Sequence, residues 1–330
     1  MSPDPDLAAF VRRERGRLLR AGGSPRALAS LGLDDGSLDR WQHASRSLVT
    51  LPHASPNVFF PRVRVGWFAA SRQAGLPHLH HVRIVLTHVN FSDLGWRPYA
   101  WWYMGADGTL HCSRQFTRSK KLKHVIVGSR PRLGEIPEGV RGADGEAAEL
   151  ALSGADLSAS YMLIMSAVER AAGLAAPGAV TYLPLNWLVR FAREQSGTAT
   201  AVGRWLQALL TGAEGRRVDD SGRLVPCPPA DAHVLDNTSN QALLALLGET
   251  EVLGGGKMAA YWPDIEARLD RLRPQAPATL GAPRPVTVPD VLDQPPVHPA
   301  PALLAQLVTA GIPYSQGLAV AEHGAFMTPR

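Results

Sequence analysis

The segment from Asp156 to Pro226 constrains the fold more than any other part of this chain. Three sets of residues there recur at offsets of 0, 3, 4 and 7, which is the spacing of the buried face of an amphipathic helix. The pattern predicts three short helices, the last two joined by a glycine-containing link of turn length. The sets are Tyr161, Ile164, Met165 and Val168; Leu185, Leu188, Val189 and Ala192; and Val202, Trp205, Leu206 and Leu209.

A basic hairpin is predicted directly after the third helix, between Arg216 and Val225. Two helices around a short turn, followed by a hairpin, form the outline of a winged helix and favour nucleic-acid binding. The alternative is an ordinary helical bundle with a surface hairpin. Side chains of the types that contact bases or phosphates are expected on the outward face of the third helix and in the hairpin. These candidates are Thr198, Thr200, Arg204, Gln207, Arg216, Arg217 and Arg223.

Residues 46–130 differ in pattern, because short β-forming runs separated by turn residues replace the helical periodicity. Trp101–Met104 and Thr109–Arg114 are predicted to pair as a hairpin. The whole region is predicted to form an antiparallel β-rich domain. Its runs are Ser47–Leu51, Asn57–Phe60, Val63–Ala69, Val82–Phe91, Ala100–Met104, Thr109–Phe116 and Val125–Gly128.

The expected fold class is therefore α+β, with an N-terminal antiparallel β-rich domain and a helical, winged-helix-like second domain. Residues 1–45 are predicted to be a helical basic segment, and residues 131–155 a linker rich in glycine, proline and acidic residues. The winged-helix-like domain would span residues 156–273. Residues 274–330 are rich in proline, which predicts an extended arm.

Composition narrows the possible classes of protein. The chain has 330 residues, of which 45% are hydrophobic, so it is globular in composition and not disordered. No apolar run is long enough to span a bilayer, and the acidic first residues lack the apolar core of a signal peptide. We therefore expect a cytoplasmic protein, or a virion component if it is a coat protein.

Cys112 and Cys227 lie far apart and form no metal-binding pair, and no metal or cofactor is expected.

A second basic feature is the run from Arg114 to His124, which holds three of the four lysines of the chain. Clustered cations displace the counterions of phosphates, and this drives nonspecific nucleic-acid binding. The alternative is a solvated connection after a hairpin. The candidate residues are Arg114, Arg118, Lys120, Lys121 and Lys123.

The run Pro77–Ile84 contains His78 and His80, which lie on one face if the run is a strand. This His-hydrophobic-His triplet resembles the metal-binding element of HUH nucleases and replication initiators. The resemblance implies a nucleophilic tyrosine on a helix, for which Tyr161 is the candidate, but the usual downstream lysine is absent. The alternative is a histidine-rich edge of a sheet.

Other catalytic motifs are absent, including GxSxG, HExxH and a glycine-rich dinucleotide fingerprint, so no catalytic residue is predicted.

These patterns together predict a non-catalytic nucleic-acid-binding protein of the plasmid or phage replication-initiator or regulator type. DNA is favoured over RNA as the partner, and the C-terminal arm is expected to mediate homo-oligomerisation. The alternative is a viral or phage capsid or coat-type subunit, whose basic loop would face packaged nucleic acid. An HUH-type endonuclease is a weaker alternative.

Overall fold

A computed structural model of the chain describes residues 6–51, 63–76, 78–85, 100–104, 110–114, 166, 169, 178–219 and 224–288. The helices along these residues are α1 (Leu7–Arg20), α2 (Pro25–Ser30), α3 (Asp35–His43), α4 (Val63–Gly75), α5 (Leu185–Gln195), α6 (Ala201–Thr211), α7 (Asn237–Ala242) and α8 (Met258–Leu272). The strands are β1 (Arg46–Thr50), β2 (Leu79–Val85), β3 (Ala100–Met104), β4 (Leu110–Arg114), β5 (Val180–Pro184), β6 (Gly215–Val218), β7 (Leu224–Cys227), β8 (Val234–Leu235), β9 (Thr250–Gly254) and β10 (Pro283–Thr287). Among the helices described, none combines the length and the apolarity that crossing a membrane requires.

Five strands form a parallel sheet in the order β10-β9-β1-β2-β5. The connection from β1 to β2 contains α4, and the connection from β9 to β10 contains α8. These two connections move in opposite directions from the centre of the sheet, so the strand order reverses between β1 and β9. This is the doubly wound α/β arrangement.

The predicted α+β fold is therefore wrong, including its antiparallel β-rich N-terminal domain and its winged-helix-like second domain. Strands β1 and β2 come from the first predicted domain and β5 and β9 from the second, yet all four belong to one parallel sheet. The N-terminal region is helical, and Val63–Ala69, predicted as a strand, begins α4. Every residue of β2, β5 and β9 is buried, which is typical of parallel strands covered on both faces. A β-forming run does not reveal the direction of its partner strand.

The first part of the predicted proline-rich arm also joins this sheet. β10 is an edge strand, in which Pro283 and Pro285 pair with Thr250 and Val252 of β9. Proline has no N–H to donate to a neighbouring strand, so a sheet tolerates it in an edge strand but not in an interior one. The remainder of the predicted arm, from residue 289, lies outside the described residues.

Helices cover both faces of the sheet. On one face, α4 packs Val65 and Ala69 against Leu48 of β1 and Leu253 of β9. On the other lies the larger core, which contains Val49, Val82 and Leu183, since side chains alternate between the faces of a strand. The apolar faces of α1, α3, α5, α6 and α8 contribute to this larger core.

The basic N-terminal helix α1 is fixed to its neighbours by ion pairs. Its first four arginines all have carboxylate partners, and the partner of Arg17, Glu14, is itself buried. These four arginines therefore form ion pairs with carboxylates of the protein itself. The pairs are Arg12 with Asp39, Arg13 with Glu194, Arg15 with Asp35, and Arg17 with Glu14, which also binds Arg190.

Two smaller sheets lie outside the parallel one. β3 and β4 pair antiparallel, with Trp101 opposite Ser113, which confirms the hairpin predicted there. β6 pairs antiparallel with β7 and with β8. The pairing of β6 with β7 confirms the second predicted hairpin, although its strands extend to Gly215 and Cys227.

Replacing Gly32 with alanine is expected to destabilise the protein by about 1–3 kcal/mol. Gly32 has a φ of +64°, and a Cβ there would lie 2.1 Å from the carbonyl oxygen of Val180. The carbonyl of Gly32 also accepts a hydrogen bond from Thr181, so the loop cannot move away freely. Urea unfolding would measure the change in stability. Gly75→Ala is the control, because a Cβ at Gly75 meets nothing within 4 Å, and an equal destabilisation of both variants would contradict this account.

Candidate nucleic-acid interface

Helices α5 and α6 pack as a pair whose apolar faces match the periodicity of the sequence. Trp205 of α6 is only 1% exposed, and Leu188 of α5 and Leu206 of α6 are fully buried. Gly203 lies where α6 meets the preceding turn, since a Cβ there would be 2.2 Å from Thr198 Oγ1. The two predicted helices are therefore confirmed, within the larger α/β fold.

The turn between these helices uses two of the side chains predicted to contact nucleic acid. Thr200 is the N-cap of α6, and its Oγ1 accepts a hydrogen bond of 2.9 Å from the backbone N–H of Gly203. Thr198 Oγ1 donates to the carbonyl of Gln195 at 2.8 Å and lies 2.9 Å from Thr200 Oγ1. Both hydroxyls thus hold the turn, and Thr200 is buried.

The outward face of α6 carries Arg204 and Gln207, which are both exposed. Arg204 Nη1 donates to the carbonyl of Ala199 at 2.8 Å, and the described part of the chain gives it no carboxylate partner. Gln207 Nε2 lies 3.4 Å from Thr211 Oγ1, which is a long hydrogen bond. These two side chains can reach a molecule that approaches α6 from solvent.

Two cations, Arg193 and Arg217, lie around His233, and Arg216 precedes Arg217 on the other face of β6. Arg216 and Arg217 of β6 are exposed, and neither has an ion-pair partner among the described residues. Burial lowers the pKa of His233, and the positive charges of Arg193 and Arg217 lower it further. The two guanidinium groups therefore lie close to one imidazole. Arg193 Nη1 also donates to the carbonyl of Ala232, which fixes the end of α5 beside β8.

A groove of about 600 Å³ is lined by Gln207 of α6 and Arg193 of α5, whereas Arg204, Arg216 and Arg217 lie outside its lining. Its walls come from α5, α6 and the connection Pro228–Ala230, and we call it the basic groove. Arg193, Ser196, Gln207 and Thr211 supply polar groups to it. The two other charged side chains of the lining have opposite charges and are ion-paired elsewhere: Arg190 with Glu14, and Glu194 with Arg13.

The remaining predicted nucleic-acid contacts are not placed by the structure. Arg114 lies in β4, where only the backbone is described. The others lie outside the described residues: Arg118, Lys120, Lys121, Lys123 and Arg223. Tyr161, the tyrosine that the HUH resemblance implied, also lies outside them.

The histidines of β2 do not form an open two-histidine face. β2 is an interior strand between β1 and β5, so the predicted histidine-rich edge is wrong. His80 is buried, its Nε2 lies 2.8 Å from Thr181 Oγ1, and its ring stacks on Trp41 at a centroid distance of 6.2 Å. His78 is exposed. In the described parts of the chain, no cluster of three or more His, Cys, Asp or Glu residues could hold a metal ion.

A buried polar network at the carboxyl edge of the sheet was not predicted from the sequence. Arg83 of β2 is 1% exposed, and its Nε donates to Glu169 Oε1 at 2.9 Å. Its Nη1 donates to the carbonyl of Leu51 at 2.5 Å, and the Tyr182 hydroxyl donates to Glu169 Oε2 at 2.5 Å. An arginine inside an apolar run was the available signal, because such a charge requires a buried partner. This network links β1, β2, β5 and the segment around residue 169.

The glycines after β9 lie where the strand order reverses, the usual ligand position in doubly wound sheets. At Gly254, the last residue of β9, the chain itself occupies this position, whereas a Cβ at Gly256 would meet nothing within 4 Å. A Cβ at Gly254 would lie 2.1 Å from Met258 Cε, and the Gly254 carbonyl accepts a bond of 2.8 Å from Val288. The Gly255 carbonyl accepts a bond of 2.8 Å from the N–H of Met258. These contacts assign Gly254 and Gly255 to packing, and the basic groove is the stronger candidate for a binding site.

Neither the models of known families, nor the curated proteins, nor the solved structures contain a match to this chain. A function must therefore be argued from the groove, its charges and the exposed face of α6. No relative supplies a substrate, a partner or a set of site residues.

Proposed function

We propose that the protein is a non-catalytic nucleic-acid-binding protein, of the replication-initiator or regulator type, that binds through the basic groove and the outward face of α6. The observation that carries this proposal is the contrast between two sets of arginines. Arg204, Arg216 and Arg217 are exposed, and the described residues give them no carboxylate partner. The first four arginines of α1, by contrast, are all neutralised in ion pairs.

Phosphate binding accounts for such a distribution of charge. A guanidinium pairs with phosphate oxygens through parallel hydrogen bonds, whereas one already held by a carboxylate gains little from doing so. The formal net charge of +5 adds a weak, long-range attraction for polyanions. Gln207 and Arg204 also have hydrogen-bonding groups of the kind that distinguish base edges.

The same proposal includes DNA as the partner in preference to RNA, and a cytoplasmic location, where such a protein would meet its target. Homo-oligomerisation through residues 289–330 remains part of the proposal. Light scattering of the full chain with and without DNA would address it. Assembly into large particles with little preference for sequence would instead support the capsid or coat-type alternative.

Removing the exposed arginines is expected to weaken DNA binding in two different ways. The double variant Arg216→Ala, Arg217→Ala should reduce the slope of log affinity against log salt by about 1–2 units, since each phosphate that is no longer neutralised lowers it by about 0.9. Arg204→Ala should reduce the preference among sequences, because a bidentate contact to guanine contributes about 1–3 kcal/mol of discrimination. Fluorescence anisotropy with labelled DNA between roughly 50 and 200 mM salt measures both effects.

Arg271→Ala is the control, since Arg271 is also an exposed arginine but belongs to α8, and so to neither the outward face of α6, nor β6, nor the groove lining. It should leave both affinity and salt slope unchanged. The proposal fails if the full chain binds neither DNA nor RNA. It also fails if the Arg216, Arg217 double variant and the Arg271 control give the same slope as the unmodified chain.

A further inference from the structure

We infer that the basic groove takes one unpaired nucleotide, so that the preferred partner is a single strand and not a duplex. This inference rests on the proposed function and specifies its ligand. Its basis is the groove's combination of a nucleotide-sized volume, an apolar surface, base-reading polar groups and one guanidinium without a carboxylate partner among the described residues.

The dimensions of the groove suit a nucleotide. At about 600 Å³ it lies within the range of sites that hold small molecules, which is about 300–1,000 Å³. It is a recess between α5, α6 and Pro228–Ala230, whereas a convex helix is what enters a major groove. A paired and stacked base cannot enter a recess, so a duplex would have to unstack at a cost of a few kcal/mol. A single strand presents such a base without that cost.

The lining provides an apolar surface and groups that can recognise a base edge. Leu210 and the rings of Pro228 and Pro229 contribute apolar surface. The Gln207 amide has both a donor and an acceptor, and its hydrogen bond to Thr211 is long at 3.4 Å, so a base can replace it. Unpaired bases are held by contact with their faces together with hydrogen bonds to their edges, and here apolar side chains, not aromatic ones, would supply the contact.

The charges of the lining favour the phosphate that accompanies such a base. Glu194 is neutralised by Arg13, and Arg190 is neutralised by Glu14. Arg193 makes its hydrogen bond to a carbonyl, at a distance of 3.2 Å, and lies near Arg217 because both act on His233. The groove therefore has a net positive charge at the end formed by Arg193. A nucleotide unit is the common ligand that pairs a flat ring with an anion.

The test compares three labelled probes by fluorescence anisotropy with the full chain. The probes are a single-stranded DNA of about twelve nucleotides, a duplex of the same sequence, and an abasic single strand of the same length. The single strand with bases should bind about tenfold more tightly than the other two, since one hydrogen bond to a base edge and the burial of some apolar surface together contribute about that factor. The abasic strand retains every phosphate, so it separates base recognition from charge attraction.

Blocking the groove without changing its charge gives the second arm of the test. Ala230 is exposed and lines the groove, and Ala230→Leu should remove most of the advantage of the strand with bases over the abasic strand while leaving the salt slope unchanged. Ala259→Leu is the matched control, because Ala259 is an exposed alanine of α8 outside the groove lining. Gln207→Ala, a surface change, should weaken binding of the strand with bases but not of the abasic strand. It provides the same test if the leucine variant does not fold.

The outcomes separate this inference from the proposed function. Duplex binding that equals or exceeds single-strand binding overturns the inference and leaves the proposed function standing. Equal binding of the abasic strand and the strand with bases also overturns it. Complete displacement of the single strand by polyglutamate, with no advantage for bases, would assign the groove to an acidic peptide and overturn it. Binding of none of the three probes would overturn the proposed function as well.

Discussion

Lowering the pH from 7 to 5 is expected to reduce the free energy of unfolding by about 3–4 kcal/mol, because two buried histidines would have to gain protons. Burial, together with the nearby charge of Arg40, lowers the pKa of His80 to about 4. Burial, followed by the charges of Arg83 and His80, lowers the pKa of His81 to about 3. In the unfolded chain both imidazoles should titrate with a pKa of about 6.5.

These pKa values mean that the free energy of unfolding falls as the pH is lowered. Well above pH 6.5 both histidines are neutral in the folded and unfolded chain, so their neutral hydrogen bonds contribute fully to stability. Between pH 6.5 and about 4 the unfolded chain binds two protons that the folded chain does not, and stability falls by up to about 2.7 kcal/mol per pH unit. The decline levels off only below the folded pKa values of about 4 and about 3. Carboxylates such as Glu251, whose pKa is lowered by its hydrogen bond to Arg72, act mainly below this window.

The environment of His81 explains why a proton there is so unfavourable. Its Nε2 lies 2.8 Å from Thr50 Oγ1, and its Nδ1 is buried without a hydrogen-bond partner among the described residues. Protonation would place an N–H and a positive charge at that atom. Urea unfolding at pH 7, 6 and 5 measures the effect, and His81→Gln should make the curve shallower by about one proton.

His43→Gln is the control for that experiment, since His43 is an exposed residue at the end of α3. It should leave the pH dependence of unfolding as it is in the unmodified chain. A free energy of unfolding that changes by less than about 1 kcal/mol between pH 7 and 5 would contradict the prediction.

Local sequence patterns predicted local structure well. The helical spacing around Leu188 and Trp205 predicted α5 and α6, and the β-forming residues around a turn predicted both hairpins. The information for these elements lies within one helix turn or one strand pair. Thr200 was predicted to contact nucleic acid, and the structure shows it buried as the N-cap of α6, a role that its position before the first apolar residue of the helix also fits.

The sheet could not be predicted in this way, because its information lies far apart in the chain. β1 (Arg46–Thr50) pairs with β2 on one side and on the other with β9 (Thr250–Gly254), which lies far along the chain. The histidines near β2 suggested a histidine-rich edge, because the partners of His80, His81 and Arg83 are distant in the sequence: Thr50, Thr181 and Glu169. A polar residue in a strand looks exposed until its buried partner is known.

The candidate interface likewise contains residues that the sequence predicted and one that it did not. Arg204, Gln207, Arg216 and Arg217 were predicted from the outline of helices and hairpin, and the structure exposes all four. Arg193 was not predicted, because the candidate contacts near these helices were expected only on the outward face of the third helix and in the hairpin. A groove formed by three separate segments has no pattern in any one of them.

Replacing Glu169 with alanine is expected to destabilise the protein by about 3–5 kcal/mol, because it removes the buried carboxylate that Arg83 and the Tyr182 hydroxyl bind. Arg83 is 1% exposed, and the described contacts place it between the carboxylate of Glu169 and the carbonyl of Leu51. Urea unfolding of Glu169→Ala against the unmodified chain measures the change.

Two further variants separate the cost of removing one partner from the value of the pair itself. Tyr182→Phe removes one hydrogen bond and keeps the ion pair, so it should cost only about 1–2 kcal/mol. The double variant Arg83→Met, Glu169→Leu removes both charges and keeps apolar volume, and it should be much less destabilised than Glu169→Ala. If the double variant is destabilised as much as the single one, then packing and not the charge of the guanidinium dominates. The network would then matter for the shape of its side chains at the carboxyl edge, where β1, β2 and β5 end side by side.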